Sequence, residues 1–169
     1  MPHSIFALNQ KPLRKIVPRE LCQALKSVHF STLCEQYNLD PAHIPEVKGN
    51  LKVIAAAEEV LPYFVVSYLG AGERPILVHQ SCVDTEEGGR MVQNFIAQDP
   101  PDVVIEHLSK VTCLLRIELS ASQLQDMGLL LAYEVARWTA AKGEGLVLGF
   151  DGNWYRLNRN HAFIPLKSK

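Results

Sequence analysis

Two histidines and two cysteines are the residues of this chain whose types most directly suggest chemistry. His79, Cys82, His107 and Cys113 belong to the residue types that bind zinc. Their spacing contains no C-x-x-C or H-E-x-x-H pattern, so it does not specify a metal site. We therefore expect no metal and no cofactor.

Thiol catalysis is the alternative reading of the same residues. Cys82 could act as a nucleophile with His79 or His107 as its base. Such a base needs a carboxylate to orient it, and Glu106 is the candidate for His107. Neighbouring residues of a strand point to opposite faces, so Glu106 could not orient His107 there. We expect core cysteines and surface histidines, and a non-enzymatic protein.

The acidic residues of the chain also occur in pairs that could perform acid–base work. Glu58 and Glu59, like Glu86 and Glu87, are adjacent and do not face each other on a helix. The spacing of Glu134 and Arg137 predicts an ion pair on a solvated helix surface. Gly88-Gly89-Arg90 near a helix start could hold a phosphate, but the acidic residues beside it would repel an anion. No nucleotide-binding or serine-hydrolase motif accompanies these residues.

The segment from Ser120 to Leu157 supplies the clearest structural elements. Ser120 and Gln123 form a capping-box pattern, and apolar residues then recur at three- and four-residue steps as far as Trp138. Glycines at 143 and 145 predict the end of this helix. Asp151-Gly152 predicts a hairpin turn between two strands, 146–150 and 153–157.

The order of elements between Pro75 and Phe150 indicates the fold class. Residues 75–79 read as a strand, a helix follows as far as the prolines at 100 and 101, and residues 102–108 and 111–119 read as two further strands. With the long helix and the strand after it, this order predicts an α+β, ferredoxin-like (split β-α-β) sheet. A strand at 63–69 and the C-terminal hairpin would extend the sheet.

The strand at 111–119 alternates between apolar and more polar residues. Cys113 and Ile117 would point to one face, and Arg116 and Glu118 to the other. This alternation predicts helices on one face of the sheet and a polar second face. Residues 1–50 contain Pro18 at a helix start and predict an N-terminal helical cap rather than a second domain. We expect one domain over residues 1–169, with its sheet-and-helix core at 62–158.

Composition excludes several classes of protein. The chain has 169 residues, 47% hydrophobic and 21% charged, with a formal net charge of −1. This near-neutral balance gives no electrostatic reason to bind nucleic acid or an anionic membrane, and no apolar run is long enough to span a bilayer. Free thiols in a reducing compartment are the simplest reading of the four cysteines, so we expect a cytoplasmic protein. These are Cys22, Cys34, Cys82 and Cys113.

An excess of apolar and acidic surface suggests a protein partner, or a homodimer. The long helix carries more apolar residues than one sheet face requires, and aromatic residues follow it in the hairpin. Acidic residues would present a negative surface to a basic target. The candidate partner-binding residues are Glu58, Glu59, Asp84, Glu86, Glu87, Tyr133, Trp154 and Tyr155.

A small α+β chain without catalytic motifs, whose long helix leads into a glycine-bounded strand and an aromatic hairpin, is similar to many bacterial proteins that neutralise a cognate toxin. This resemblance is one of architecture and carries over no residue. It implies an immunity-type inhibitor. The alternative is a small-molecule-binding protein or enzyme, with a pocket between the N-terminal cap and the sheet lined by His79, His107 and Arg116.

Overall fold

The computed structural model describes residues 3–13, 18–55 and 63–167, in which eight strands form one antiparallel sheet with six α-helices packed around it. The order of the strands across the sheet is β2-β3-β4-β5-β1-β6-β7-β8, so the first strand lies in the interior. The strands are β1 (His3–Asn9), β2 (Lys52–Ala55), β3 (Tyr63–Ser67), β4 (Ile76–Cys82), β5 (Cys113–Leu119), β6 (Gly145–Leu148), β7 (Trp154–Leu157) and β8 (Phe163–Leu166). The helices are α1 (Pro18–Lys26), α2 (Phe30–Gln36), α3 (Ile44–Asn50), α4 (Glu86–Ala97), α5 (Asp102–Leu108) and α6 (Met127–Gly143).

One face of the sheet is covered by α6 together with the N-terminal helices. The alternation expected for β5 is confirmed, since Cys113, Ile117 and Leu119 are buried on this face. Leu131 and Val135 of α6 are fully buried in the same core. Leu21 and Leu25 of α1 and Phe30 of α2 belong to the same core, so these N-terminal helices pack on this face of the sheet.

Helices cover the other face as well, so the prediction of helices on one face only is wrong. Phe95 of α4 and Leu108 of α5 form a second core with strand residues that point away from α6. Leu114, which alternation placed on a polar face, is 1% exposed beneath these helices. Strands covered on both faces must carry apolar residues in both directions. The sheet residues of this second core are Leu8, Leu114, Leu146, Leu148 and Trp154.

The α+β class is confirmed, but the ferredoxin-like topology is not. In a ferredoxin-like sheet, the two strands joined by each crossover helix are separated by another strand, whereas α4 and α5 join β4 and β5, which are direct antiparallel neighbours in a sheet of eight strands. The strand predicted at residues 102–108 is wrong, because this segment is helix α5. Val104 and Leu108 are four residues apart and place one buried face on the sheet. Helix α3 forms although its segment contains Pro45 and Gly49, because Pro45 lies in the first turn of the helix.

The long helix begins later than its capping pattern predicted. Gln123 does accept a hydrogen bond from the Ser120 backbone N–H at 2.8 Å, but it lies in a 3-10 turn at Ser122–Gln125. Asp126 caps α6 by accepting the Gly128 N–H at 2.6 Å. The C-terminal end of α6 packs against the Asn9 side chain of β1. Because this side chain is so close, there is no room for a Cβ at Gly143 or at Gly145. Glu144, between these glycines, is the residue with a left-handed backbone (φ 51°).

The C-terminal hairpin is confirmed. Val147 of β6 pairs with Tyr155 of β7. Gly152, in the turn between these strands, has a φ of 80°, a backbone conformation that favours glycine. Strand β8 continues the sheet beyond the hairpin. Across the described ranges, no helix combines the length and hydropathy required to cross a membrane.

Candidate functional site

The acidic and aromatic residues predicted to bind a partner lie on two different faces of the sheet. Asp84, Glu86 and Glu87 are exposed at the start of α4, on the face that α4 and α5 cover. Tyr133 and Tyr155 pack on the α6 face. The predicted set therefore does not form one continuous surface. Glu58 and Glu59 lie outside the described residues.

Trp154 belongs to the second core and not to a surface. Its indole is 5.9 Å from the Phe95 ring, in an edge-to-face arrangement, and the residue is 8% exposed. Alternate residues of a strand point to opposite faces, so Trp154 and its neighbour Tyr155 contact different helices. Trp154 offers little surface to a partner and does not enter the candidate site.

Two of the three residues proposed for a ligand pocket come together, beneath α4. His79 and Arg116 are directly opposed on β4 and β5 and line a cavity of about 200 Å³ with Glu87 and Met91. His79 also lies 3.7 Å from Glu118 through its Nε2 atom. Burial and the nearby Arg116 charge lower the pKa of His79, which favours the neutral ring.

His107 does not join that cavity. It lies on α5, where its Nε2 is 2.8 Å from the Leu8 carbonyl and its Nδ1 is 2.9 Å from the Gln10 amide. Burial lowers its pKa, so the neutral ring holds the loop after β1 against α5. Within the described part of the chain, no three His, Cys, Asp or Glu side chains are grouped closely enough to hold a metal ion.

Five aromatic side chains meet on the α6 face, and we call this group the aromatic cluster: Tyr37, Tyr133, Phe150, Tyr155 and Phe163. Tyr133 is its centre. The Tyr133 ring stacks on Tyr37 with centroids 5.9 Å apart, and it meets Phe150 and Phe163 edge-on at 6.4 Å and 5.8 Å. Tyr155 meets Phe163 at 5.8 Å. Tyr37 directly follows α2, Tyr133 lies on α6, and the other three rings lie in the C-terminal segment from Phe150 to Phe163, so the cluster joins distant parts of the chain.

The outer edge of the aromatic cluster is exposed to solvent. Phe150 is 42% exposed, although it is a large apolar residue. Beside it, Asp151 accepts hydrogen bonds from the Tyr155 hydroxyl at 2.9 Å and from the Asn153 amide at 2.7 Å. Burial opposes ionisation of Asp151, but these hydrogen bonds prevail and lower its pKa. The cluster therefore presents an apolar ring next to a fixed negative charge.

A cleft between α1 and α6 adjoins the aromatic cluster. This α1–α6 cleft has a volume of about 360 Å³ and is open to solvent on one side. The expected pair between Glu134 and Arg137 forms at 3.0 Å, but the Glu134 side chain is 9% exposed rather than solvated. The cleft is lined by Ala24, Leu25, Val28, Glu134, Arg137, Trp138, Ala141, Lys142 and His161.

Arg137 connects the cleft to the aromatic cluster. Its guanidinium lies 4.6 Å from the centre of the Phe163 ring, and it donates a hydrogen bond to the His161 carbonyl at 3.1 Å. Burial raises the pKa of Glu134, although the Arg137 charge acts in the opposite direction. A carboxylate of raised pKa in a cleft is a recognised feature of binding sites.

Sequence reasoning found part of this site. Tyr133 and Tyr155 were predicted as partner-binding residues; Tyr155 is partly exposed, whereas Tyr133 is 7% exposed and supports the cluster from within. The Glu134–Arg137 pair was predicted from its spacing. Tyr37 and Phe150 were missed. Tyr37 lies almost a hundred residues before Tyr133, and no local pattern indicates that their rings stack.

No protein-family model matches this chain, and no curated protein and no solved structure is significantly similar to it. The geometry of the site is therefore the basis for any statement about function.

Proposed function

We propose that this chain is a non-enzymatic protein-binding module whose partner docks on the aromatic cluster and the mouth of the α1–α6 cleft. The observation that carries the proposal is the 42% exposed Phe150 ring, packed against a buried tyrosine. Aromatic anchors of this kind dominate the energy of protein interfaces because they remove a large apolar area from water.

The rings of the aromatic cluster are held by contacts within the chain itself. Tyr133 is held between Tyr37 and Phe163, and Asp151 orients the Tyr155 hydroxyl. A surface that is already in its bound arrangement loses little conformational entropy on association. Tyrosines that keep a polar hydroxyl at their tip are suited to such a surface, and three of the chain's five tyrosines lie here.

The more specific form of the proposal is an immunity-type inhibitor that neutralises a toxin enzyme. Its support is the exposed carboxylates of Asp84, Glu86 and Glu87, together with a long helix that leads into an aromatic hairpin. These carboxylates lie on a different face of the sheet from the aromatic cluster. Their negative charge would raise the association rate of a basic partner without being part of the interface. We also propose a cytoplasmic location, in keeping with the four free thiols.

Replacement of Phe150 by serine is expected to weaken partner binding by about 30-fold or more, because the ring is the exposed anchor of the cluster. The full chain would be immobilised and used to capture proteins from the cells in which it naturally occurs. The dissociation constant of the recovered partner would then be measured for the wild type and for Phe150→Ser.

Val103→Ser is the matched control. Val103 is 51% exposed on α5, on the opposite side of the sheet, so its loss removes a similar exposed apolar group away from the site. We expect this variant to bind as the wild type does. Equal weakening by both substitutions would contradict the proposal, as would recovery of no partner, including a second copy of the chain. A second copy bound through Phe150 would make the module a homodimer.

A small molecule in the α1–α6 cleft is the second candidate function. The cleft volume of about 360 Å³ lies in the range typical of ligand pockets, and Glu134 offers a buried polar group. Native mass spectrometry of the purified chain would show a bound molecule that Glu134→Gln fails to retain. This result, together with no protein partner, would favour the second candidate over the first.

A further inference from the structure

Cys82 and Cys113 are directly opposed at the ends of two neighbouring strands. Cys82 closes β4, Cys113 opens β5, and the two are partners in the register of the ladder. The next pair along is hydrogen-bonded, since the Val83 N–H donates to the Thr112 carbonyl at 3.1 Å. Hydrogen-bonded and non-hydrogen-bonded pairs alternate in an antiparallel ladder, so Cys82 and Cys113 form a non-hydrogen-bonded pair.

This type of pair has the geometry that a disulfide requires. Residues of a non-hydrogen-bonded pair have Cα atoms about 4.5 Å apart, and their side chains lie close together on one face. Disulfides span Cα separations of about 4.4–6.8 Å. The bond could therefore form without a movement of either strand. All four cysteines of the chain are free thiols in this structure.

The two thiols differ in their access to solvent. Cys82 is exposed, whereas Cys113 is 2% exposed and accepts a hydrogen bond from the Gln80 amide at 3.1 Å. Burial raises the pKa of Cys113, and this hydrogen bond acts in the opposite direction. An oxidant in solution would thus reach Cys82 first, with Cys113 next to it as the second sulfur.

We propose that this cysteine pair is an oxidation site, in which Cys82 reacts with a peroxide and Cys113 closes an intramolecular disulfide. The Cys82 sulfur attacks one peroxide oxygen, the O–O bond breaks, and a sulfenic acid and one water form. The Cys113 sulfur then attacks the Cys82 sulfur, the S–O bond breaks, and a second water leaves with the Cys113 proton. Two thiols are oxidised and one hydrogen peroxide is reduced to two waters.

The bond would cross-link the segment that contains α4 and α5. Residues 82–113 would become a closed loop, and the exposed acids Asp84, Glu86 and Glu87 lie inside it. Closing a loop of this length restricts the unfolded chain, so the oxidised protein is expected to melt about 5–10 °C higher than the reduced one.

Peptide mapping of the peroxide-treated, folded full chain tests the proposal. Trypsin separates the two cysteines, because Cys113 lies in peptide 111–116 and Cys82 in peptide 53–90, in which the bond before Pro75 resists cleavage. Without reduction, we expect these two peptides to appear as one joined mass that separates on reduction. Cys22 and Cys34, on α1 and α2, serve as internal controls and should remain thiols.

Two variants complete the test. Cys82→Ser should abolish both the joined mass and the rise in melting temperature, whereas Cys22→Ser should change neither. A Cys113 that stays a free thiol after Cys82 is fully oxidised would overturn the proposal. A disulfide from Cys82 to a second chain, or to any other cysteine, would overturn it equally.

Discussion

Replacing Gly88 with alanine is expected to lower the free energy of unfolding by about 3 kcal/mol, which is the upper range for overpacking a close-packed site. Gly88 is buried in the first turn of α4. An added Cβ there would collide with the carbonyl oxygen of Cys82 and lie 2.7 Å from its carbon. That carbonyl accepts hydrogen bonds from both the hydroxyl and the backbone N–H of Thr85, so it cannot move aside cheaply. Urea denaturation measures the loss.

Gly89→Ala is the control in the same helix. A Cβ at Gly89 would meet only the Val83 carbonyl oxygen, at 3.3 Å. Alanine also has a higher helix propensity than glycine, so we expect a change within about 1 kcal/mol in either direction. Equal free energies of unfolding for the two alanine variants would contradict the close packing of α4 against the end of β4.

Arg137→Met is expected to destabilise the protein by about 3 kcal/mol at pH 7, because it leaves the buried Glu134 carboxylate without its cation. Methionine retains an aliphatic stem of similar length, so the loss reports mainly on charge and hydrogen bonding. The Arg137 contacts to the His161 carbonyl and the Phe163 ring are lost as well. Chemical denaturation of the wild type and the variant measures the difference.

The pH dependence of this loss identifies its cause. Burial raises the folded-state pKa of Glu134, and removal of Arg137 would raise it further. A carboxyl with a raised folded-state pKa binds its proton more tightly in the folded state. The associated stability is present at low pH and is lost as pH rises from the ordinary glutamate value through the folded-state pKa. The deficit of Arg137→Met should therefore shrink as the solution is acidified.

Glu134→Gln provides the matched background for a double-mutant cycle. With the carboxylate removed, Arg137→Met should cost about 1 kcal/mol, for the lost hydrogen bond and ring contact. A deficit that is the same at every pH and in the Glu134→Gln background would show that the ion pair contributes nothing.

Local patterns predicted the elements whose residues act on near neighbours. The hairpin at Asp151-Gly152, the buried face of β5 and the existence of the long helix all depend on short spacings. Residues 102–108 were predicted wrongly as a strand. Their apolar run is too short for its periodicity to distinguish a strand from a short helix. The second core was missed for a related reason, since a few apolar residues in β1, β5 and β6 do not reveal which helix covers them.

The candidate site depends on contacts between distant segments, which spacing does not encode. The pairing of Glu134 with Arg137 follows from three-residue spacing, but the cleft in which the pair lies is also lined by α1, more than a hundred residues earlier. The Tyr37–Tyr133 stack likewise joins α2 to α6. Asp126, rather than the predicted cap at Ser120, begins α6, whereas the helix ends at Gly143 as the glycines predicted.

Hydrogen–deuterium exchange of the chain with its recovered partner tests the proposed interface most directly. Binding should slow exchange in residues 149–157 of the hairpin and leave residues 102–108 of α5, on the far face, unchanged. Slowed exchange confined to α4 and α5, with the hairpin exchanging as in the free chain, would contradict an interface built on Phe150 and its neighbouring rings.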